Sequence, residues 1–502
     1  MNVPAFVWMI ALPLFAAPVI YLSGHVARGD GQEKRLSLAA RVGLTVLVLT
    51  WLPFVIAVRD FLADGPAAFT LGAVTLRLDG LGLLLGGLAL GLGTLVMLYS
   101  GPYLAGEENQ EKYYALLSAS VGVMTGLGCA GDLFNLWVWF EAMAISSYLL
   151  VAFYRNQPAS LEAGVKYLVQ SAAGSALVLL GVALVLGQVR TLDLEAIRAT
   201  AGAGTPTLLA AGALFLVGFG VKVALVPLHT WLPDAHSQAP SGISAMLSGV
   251  VIEAGLVALL RALGALMAVS LSWGVLLMAF GGLNMLFGNL MALRQQQVKR
   301  MLAYSSLAHV GYMLLGLGVG LYAGEAAGAQ GGMFHLLNHG LMKGLAFLSA
   351  GALLWALHVA VGDHGPLMLA DLAGAARRYP MVGLALAIAA LALGGLPPLA
   401  GFMSEMQIFV AGFNTQNTWI ALLVIFAAFN SVLSLGYYAP LVSAVYKREP
   451  SAAVKQGQPM PLAITAPLAV LALAVIAVGL WPNLLTWLSN PAGAALLTAL
   501  GG

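Results

Sequence analysis

The stretch Val217-Gly218-Phe219-Gly220-Val221-Lys222-Val223-Ala224-Leu225-Val226-Pro227-Leu228-His229-Thr230-Trp231-Leu232-Pro233-Asp234-Ala235-His236-Ser237-Gln238-Ala239-Pro240 decides how this chain must be read. It begins as an apolar helix, places Lys222 inside it, and is then interrupted by Pro227 and Pro233. Proline lacks a backbone N–H and breaks the helix ladder. Within a membrane such a break is tolerated only where it packs in protein or lines a wet cavity. A lysine at that depth obeys the same logic, because a charge at the centre of a lone spanning helix costs about 3 kcal/mol. The stretch therefore implies a helical membrane bundle with an ionisable interior.

The rest of the chain agrees. Of 502 residues, 60% are hydrophobic and 8% are charged, where soluble proteins carry about 25% charged residues. The 60 glycines are scattered through apolar runs, where they let helices approach closely. The single cysteine, Cys129, allows no intrachain disulfide and no cysteine-based metal centre, and it reads as a small core residue. A net charge of +2 leaves no footprint for nucleic acid. There is no Gly-rich phosphate loop, so no cofactor is expected. The first apolar run lacks a basic leader and reads as a spanning helix rather than a signal peptide.

A spanning helix needs about 20 apolar residues. Fourteen segments qualify: 3–24, 37–58, 78–101, 113–131, 133–154, 163–188, 207–227, 241–265, 272–292, 301–322, 329–358, 380–413, 418–446 and 460–482. Residues 66–78 read as a small extra-membrane hairpin, and 190–200 as a short interfacial helix. Basic residues test this layout. Loops after odd-numbered spans hold Arg28, Lys34, Arg35, Lys112, Arg155, Arg294, Lys299, Arg300, Arg377, Arg378, Lys447, Arg448 and Lys455. Loops after even-numbered spans hold only Arg59, Arg77, Arg190 and Arg198. By the positive-inside rule the odd loops are cytoplasmic and both termini face outward. A second interruption, Gly394-Gly395-Leu396-Pro397-Pro398, falls in span twelve, five spans after the first. Paired interruptions point to inverted repeats. The layout divides into residues 1–110, a first five-helix repeat at 111–265, a second at 266–447, and a C-terminal helix within 448–502.

Five charges lie where lipid would otherwise be: Glu141 in span five, Lys222 in span seven, Glu253 in span eight, Lys343 in span eleven and Glu405 after the second break. Facing lipid, they would cost roughly 15 kcal/mol together, so all five are expected to face the bundle interior. One reading is a set of ion pairs pinning helices together. Replacing such pairs by apolar residues is often neutral or stabilising, which favours an ion path. His335, His339 and Lys343 recur every fourth residue and share one helix stripe. Imidazole titrates near neutral pH, so this stripe suits a proton relay, with His309 in span ten as a weaker member. His-x3-His also suits zinc, but no third ligand lies nearby in sequence, and no metal is expected. The segment carrying His229 and His236 reads equally as a capped re-entrant loop and as a proton entry. Glu162 and Lys166, at the start of span six, read as snorkelling surface charges.

Several motifs then carry a resemblance: Lys222 followed by Pro227 through Pro240, Phe134-Asn135-Leu136 ahead of Glu141, Lys299 through Tyr312, His335 through Phe347, and Gly395 through Phe402. Across residues 70–450 the chain resembles the antiporter-like membrane subunits of respiratory complex I. The same family includes subunits of Mrp-type sodium/proton antiporters and of energy-converting membrane hydrogenases. The resemblance implies an all-α fold of fourteen spanning helices in two inverted five-helix repeats, with helices seven and twelve broken. It implies a Glu141–Lys222 pair, a relay across helix eight and a terminal group at Glu405. A glutamate there, and the lack of a long lateral helix, favour the M type of complex I subunit or its counterpart in Mrp antiporters. Glu253 departs from the family, which usually has Lys or His there. The carboxylate reverses the local charge, offers Lys222 a second partner, and leaves room for sodium, a hard cation suited to oxygen ligands.

The resulting expectation is a non-redox, proton-translocating subunit of a complex I-like pump in a prokaryotic plasma membrane. Its partners would be other membrane subunits, lipid, and protons or sodium. Protons would enter near His229 and His236 and pass Lys222, Glu253, His309, His335, His339 and Lys343 to Glu405. A sodium/proton antiporter subunit and a non-conducting scaffold are the alternatives.

Overall fold

Apolar runs of this length must satisfy their backbone groups internally, and helices do so. The computed structural model describes residues 3–27, 37–72, 74–201, 205–270, 272–362 and 365–497. Arg28, Lys34 and Arg35 lie outside the described residues. In chain order come α1 (Ala5–Ala27), α2 (Leu38–Asp64), strands β1 (Ala67–Leu71) and β2 (Val74–Leu78), α3 (Gly80–Tyr103), α4 (Gln110–Gly128), α5 (Leu133–Val151) and α6 (Pro158–Val189). A short surface helix, Leu194–Thr200, precedes α7a (Pro206–Val223) and α7b (Trp231–Gln238). Then follow α8 (Ser241–Ala265), α9 (Ser272–Ala292), α10 (Val298–Ala323) and α11 (Ala326–Leu357). The last group is α12a (Pro380–Leu393), α12b (Ala400–Asn414), α13 (Thr418–Val445), α14 (Leu462–Leu480) and α15 (Asn483–Leu497).

Among the described residues, twelve helices are long and apolar enough to cross a membrane. The two expected spans outside that set are α4, whose first turn Gln110-Glu111-Lys112 is polar, and the twelfth, which is two short helices. The expected hairpin is present, with β1 and β2 antiparallel. So is the short helix near residue 195, started by the Asp193 carboxylate, which accepts from the Ala196 N–H at 2.9 Å. The last helix, α15, was not anticipated. It packs against α3 and α11, where a methyl on Gly80 would meet the backbone of Pro491.

α8 is buried along its whole length and α10 nearly so, while α1, α2, α6 and α13 turn broad apolar faces outward. Phe15, Leu52, Leu180 and Phe429 are exposed on those faces, as lipid contact requires. Glycines seat α9 on α10. Gly274 and Gly281 of α9 oppose Gly318 and Gly311 of α10 so closely that an added methyl would lie 2.8 Å from the facing carbonyl oxygen. Close approach of this kind supplies packing attraction where lipid removes the hydrophobic drive.

Both interruptions have explicit backbone solutions. At the first, Ala224 is left-handed (φ 60°). The Leu225 N–H reaches back to the Gly220 carbonyl at 2.9 Å. Asn284 of α9 accepts from the Val226 N–H (2.8 Å) and donates to the Ala224 carbonyl (3.2 Å). One amide thus serves two groups the break would otherwise leave bare. At the second, Gly395 takes the left-handed role (φ 68°) and Leu396 N–H reaches the Leu391 carbonyl at 3.2 Å. Each break also holds one cis peptide, Val226–Pro227 and Pro397–Pro398. A third irregularity is a π-helical turn in α8 at Leu247–Val251, immediately before Glu253. Such turns recur at functional sites.

Candidate proton path

Lys222 ends α7a, where the Ala224 cap stops the helix. Its ammonium donates to the Tyr167 hydroxyl (2.9 Å) and the Ser171 hydroxyl (3.2 Å), both on α6. It sits 4.3 Å from the Tyr167 ring centre, with the Phe140 and Trp231 rings within 5.9 Å. Tyr167 and Trp231 stack at 4.0 Å, and Trp231 is pinned by its N–H to the Val221 carbonyl. An ammonium over aromatic faces is held without a counter-charge. The ammonium's hydrogen-bond partners are the Tyr167 and Ser171 hydroxyls, and the expected Glu141–Lys222 ion pair is not made in this conformation.

Glu141 also corrects the expectation that all five charges face inward. Lys222, Glu253, Lys343 and Glu405 are 0–3% exposed. Glu141 is only part-buried. It falls on the same stripe of α5 as the exposed Phe134, Val138, Ile145 and Leu149. The stripe is set by helical spacing, so no rotation of α5 buries Glu141 while keeping those residues on the lipid side.

Below Lys222, α7b presents a polar end. Asp234 is bonded by Lys166 of α6 (3.0 Å) and Arg300 of α10 (2.6 Å), tying the two halves of the bundle together. Lys166, read as a surface charge, thus has a specific partner besides Glu162. Lys299, assigned by sequence to a loop, is buried in the first turn of α10 and donates to the Ala239 carbonyl. His229 packs edge-on against Phe287, and His236 stacks on Phe347 at 4.6 Å. His229 Nδ1 and both ring nitrogens of His236 have no protein partner.

The second half is denser. Glu253 of α8 accepts from or shares a proton with His339 Nδ1 at 2.7 Å, both groups fully buried. His339 lies against His309, with ring centres 5.4 Å apart. His309 Nδ1 and His335 Nε2 are 3.1 Å apart, and His335 Nδ1 reaches Ser404 at 2.9 Å. Glu405, next to Ser404, accepts from Ser431 at 2.8 Å. Lys343 donates to the Leu302 carbonyl (2.9 Å) and to Ser305, which bonds Tyr438, whose hydroxyl lies 3.5 Å from His309 Nε2. The stripe expected on α11 is thus split: His339 bonds α8, His335 bonds both α10 and α12b, and Lys343 bonds α10. Ser305, Tyr438, Ser404 and Ser431 were not singled out from sequence. Lone hydroxyls in apolar helices give no pattern to find them by.

The folded chain also supplies what sequence proximity did not. Ligand atoms of His309, His335 and Glu405 lie within 4.8 Å of one another. Two imidazoles and a carboxylate can hold a divalent cation. Here the imidazoles are engaged with each other and with Ser404, as a proton cluster would be.

A bundle of apolar helices with two interrupted members and a buried chain of ionisable groups defines a membrane ion-path protein. Residues 130–434 match the family model described as NADH:quinone oxidoreductase/Mrp antiporter, transmembrane, and the chain belongs to that family. It is 33% identical over 425 residues to F(420)H(2) dehydrogenase subunit N of Methanosarcina mazei, covering 83% of this chain and 84% of that one. It is 36% identical over 408 residues to NADH-quinone oxidoreductase subunit N 1 of Sorangium cellulosum, covering 78% of each. Among solved structures it matches a chain of the membrane-bound sulfane sulfur reductase, an archaeal respiratory membrane complex, with TM-score 0.86, 31% identity and 97% of both chains covered. The first two relatives bear the subunit N name, where Glu405 and the expected lack of a long lateral helix favour the M type.

Proposed function

We propose that this chain is the antiporter-like subunit through which a redox-driven membrane complex moves protons, and that Glu253, His339, His309, His335 and Glu405 form the inner part of its path. The observation that carries this reading is a buried run of groups from Glu253 to Glu405, hydrogen-bonded at Glu253–His339 and along His309–His335–Ser404, with a ring contact of 5.4 Å joining His339 to His309 and ligand atoms of Glu405 within 4.8 Å of His309 and His335. Acid, imidazole and hydroxyl groups within hydrogen-bond reach can pass a proton by small rotations. Protons are favoured over sodium, because the ring nitrogens around Glu253 and Glu405 are poor ligands for a hard cation that prefers oxygen.

Lys222 receives the proton from the side of His229, His236 and Asp234, where His236 and His229 need water to satisfy their buried nitrogens. Its aromatic seat is one of two positions, the other being at Glu141. Moving between them changes the charge felt at Glu253. Glu141 stands at the chain's own edge, so a neighbouring membrane subunit completes its surroundings. The two breaks belong to two inverted repeats, residues 111–265 and 266–447. The end carrying Asp234 and Arg300 is cytoplasmic, in a prokaryotic plasma membrane, and the termini lie outside.

The test is Glu253→Gln in the assembled complex reconstituted in vesicles, with redox turnover and proton uptake measured together, with and without sodium. Loss of proton uptake at intact assembly supports the reading. Full uptake, or uptake that depends on sodium, overturns it.

A further inference from the structure

We propose that the groove between α1, α4 and α5 is a binding site for one anionic phospholipid, its phosphate held by Lys112 and Arg155. The groove has a volume of about 440 Å³, and none of its lining residues belongs to the ionisable path. Its walls are almost wholly apolar, including Ala119, Leu116 and Leu149, and none of its lining residues is acidic.

Position along the three helices sets its depth. Ala17 to Tyr21 belong to the last half of α1, Lys112 to Ala119 to the first turns of α4, and Leu149 to Arg155 to the last turn of α5 and just beyond. All three place the groove at the end of the bundle where Lys and Arg gather. Lys112 and Ala119 are separated by about 10 Å of helix rise, so the groove runs well into one leaflet. On α4, Lys112, Leu116 and Ala119 are part-exposed positions of an otherwise largely buried segment, so this stripe is the open side. Apolar slot and cationic rim are thus stacked in the order of an acyl chain and its headgroup.

The rim is also arranged. Asn109 accepts from the Lys112 ammonium at 2.7 Å, holding it at the start of α4. Arg155 is exposed just beyond α5. Tyr113, which also lines the groove, commits its hydroxyl to Ser100 and offers only its ring. The charge pattern fits a phosphodiester better than a zwitterionic headgroup. An apolar helix of another subunit would leave both cations without a counter-charge.

The test uses the assembled complex, purified from nanodiscs of phosphatidylcholine doped with phosphatidylglycerol, with retained lipid counted by native mass spectrometry. The unaltered complex should hold phosphatidylglycerol over phosphatidylcholine. Lys112→Gln with Arg155→Gln should reduce that retention on the order of tenfold, given the attraction of basic residues for anionic lipid. Lys112→Arg should preserve it, and Ala119→Phe should abolish it by filling the slot. Co-purification of the other subunits verifies folding of each variant. Equal retention in the double Gln variant overturns the proposal. So does a cross-link from Ala119→Cys to another protein subunit in the bilayer, which would show that a helix covers the groove.

Discussion

The two helix breaks share a backbone but not a chemistry. Ala224 and Gly395 take the same left-handed turn, and Leu225 and Leu396 make the same backward hydrogen bond. Aligned on those residues, Lys222 corresponds to Leu393, and Asp234 to Glu405. The first break thus carries a cation before the turn and an acid after it that Lys166 and Arg300 neutralise. The second carries nothing ionisable before the turn and a buried acid after it, bonded by a serine hydroxyl. The two breaks carry an acid at the same aligned position and differ in the cation before the turn, which only the first has. The interruption supplies the opening, and what surrounds the acid decides whether it is a neutralised clamp or a buried exchange group.

The largest expected effect follows from the first break. Lys222→Met should lower proton pumping about 100-fold, in the range of lost acid–base groups, at unchanged assembly; pumping in vesicles checks it. Retained pumping would mean that the aromatic seat, not the charge, matters there. Next, Glu405→Gln should lower pumping about tenfold or more, while Asp234→Asn should change it only a few-fold, because removing one exchange group outweighs loosening a part-exposed clamp. Equal losses would show that aligned positions still work alike. Third, Gly395→Ala should destabilise the complex by about 2–3 kcal/mol, combining left-handed strain with a methyl pressed on the Glu405 carboxylate. Ala224→Gly should stabilise it by up to about 1 kcal/mol, since the same turn then carries no side-chain penalty. Thermal unfolding of the detergent-solubilised complex reads both, and equal signs would break the structural equivalence. Smallest of all, Lys166→Ala should cost no more than about 1 kcal/mol, because its ammonium is well exposed and Arg300 keeps Asp234 paired.

Much of this was legible in the chain. The spans, both breaks, the hairpin and the short helix near residue 195 follow from apolar run length, proline and β-branched residues. Lys222, Glu253, Lys343 and Glu405 announced themselves as charges in apolar surroundings. What sequence withheld was pairing. His335, His339 and Lys343 share one stripe, yet their partners lie on α8, α10 and α12b because α11 packs against all three. Lys299 looked like a loop charge until the start of α10 proved to be buried. The π-helical turn before Glu253 has no proline or glycine pattern that would separate it from an ordinary helix. The Arg261–Asp79 contact (2.8 Å), which ties the end of α8 to the start of α3, joins residues too far apart in sequence for spacing to suggest it. α15 was missed because the last span already accounted for the apolar signal.

The part-buried position of Glu141 bears on how the protein is made. A carboxylate left on the flank of a spanning helix makes the lone chain an incompletely sealed object, carrying a penalty of up to about 3 kcal/mol until something covers it. A neighbouring membrane subunit that covers this flank of α5 would remove that cost, so covering Glu141 and stabilising the assembly are the same event.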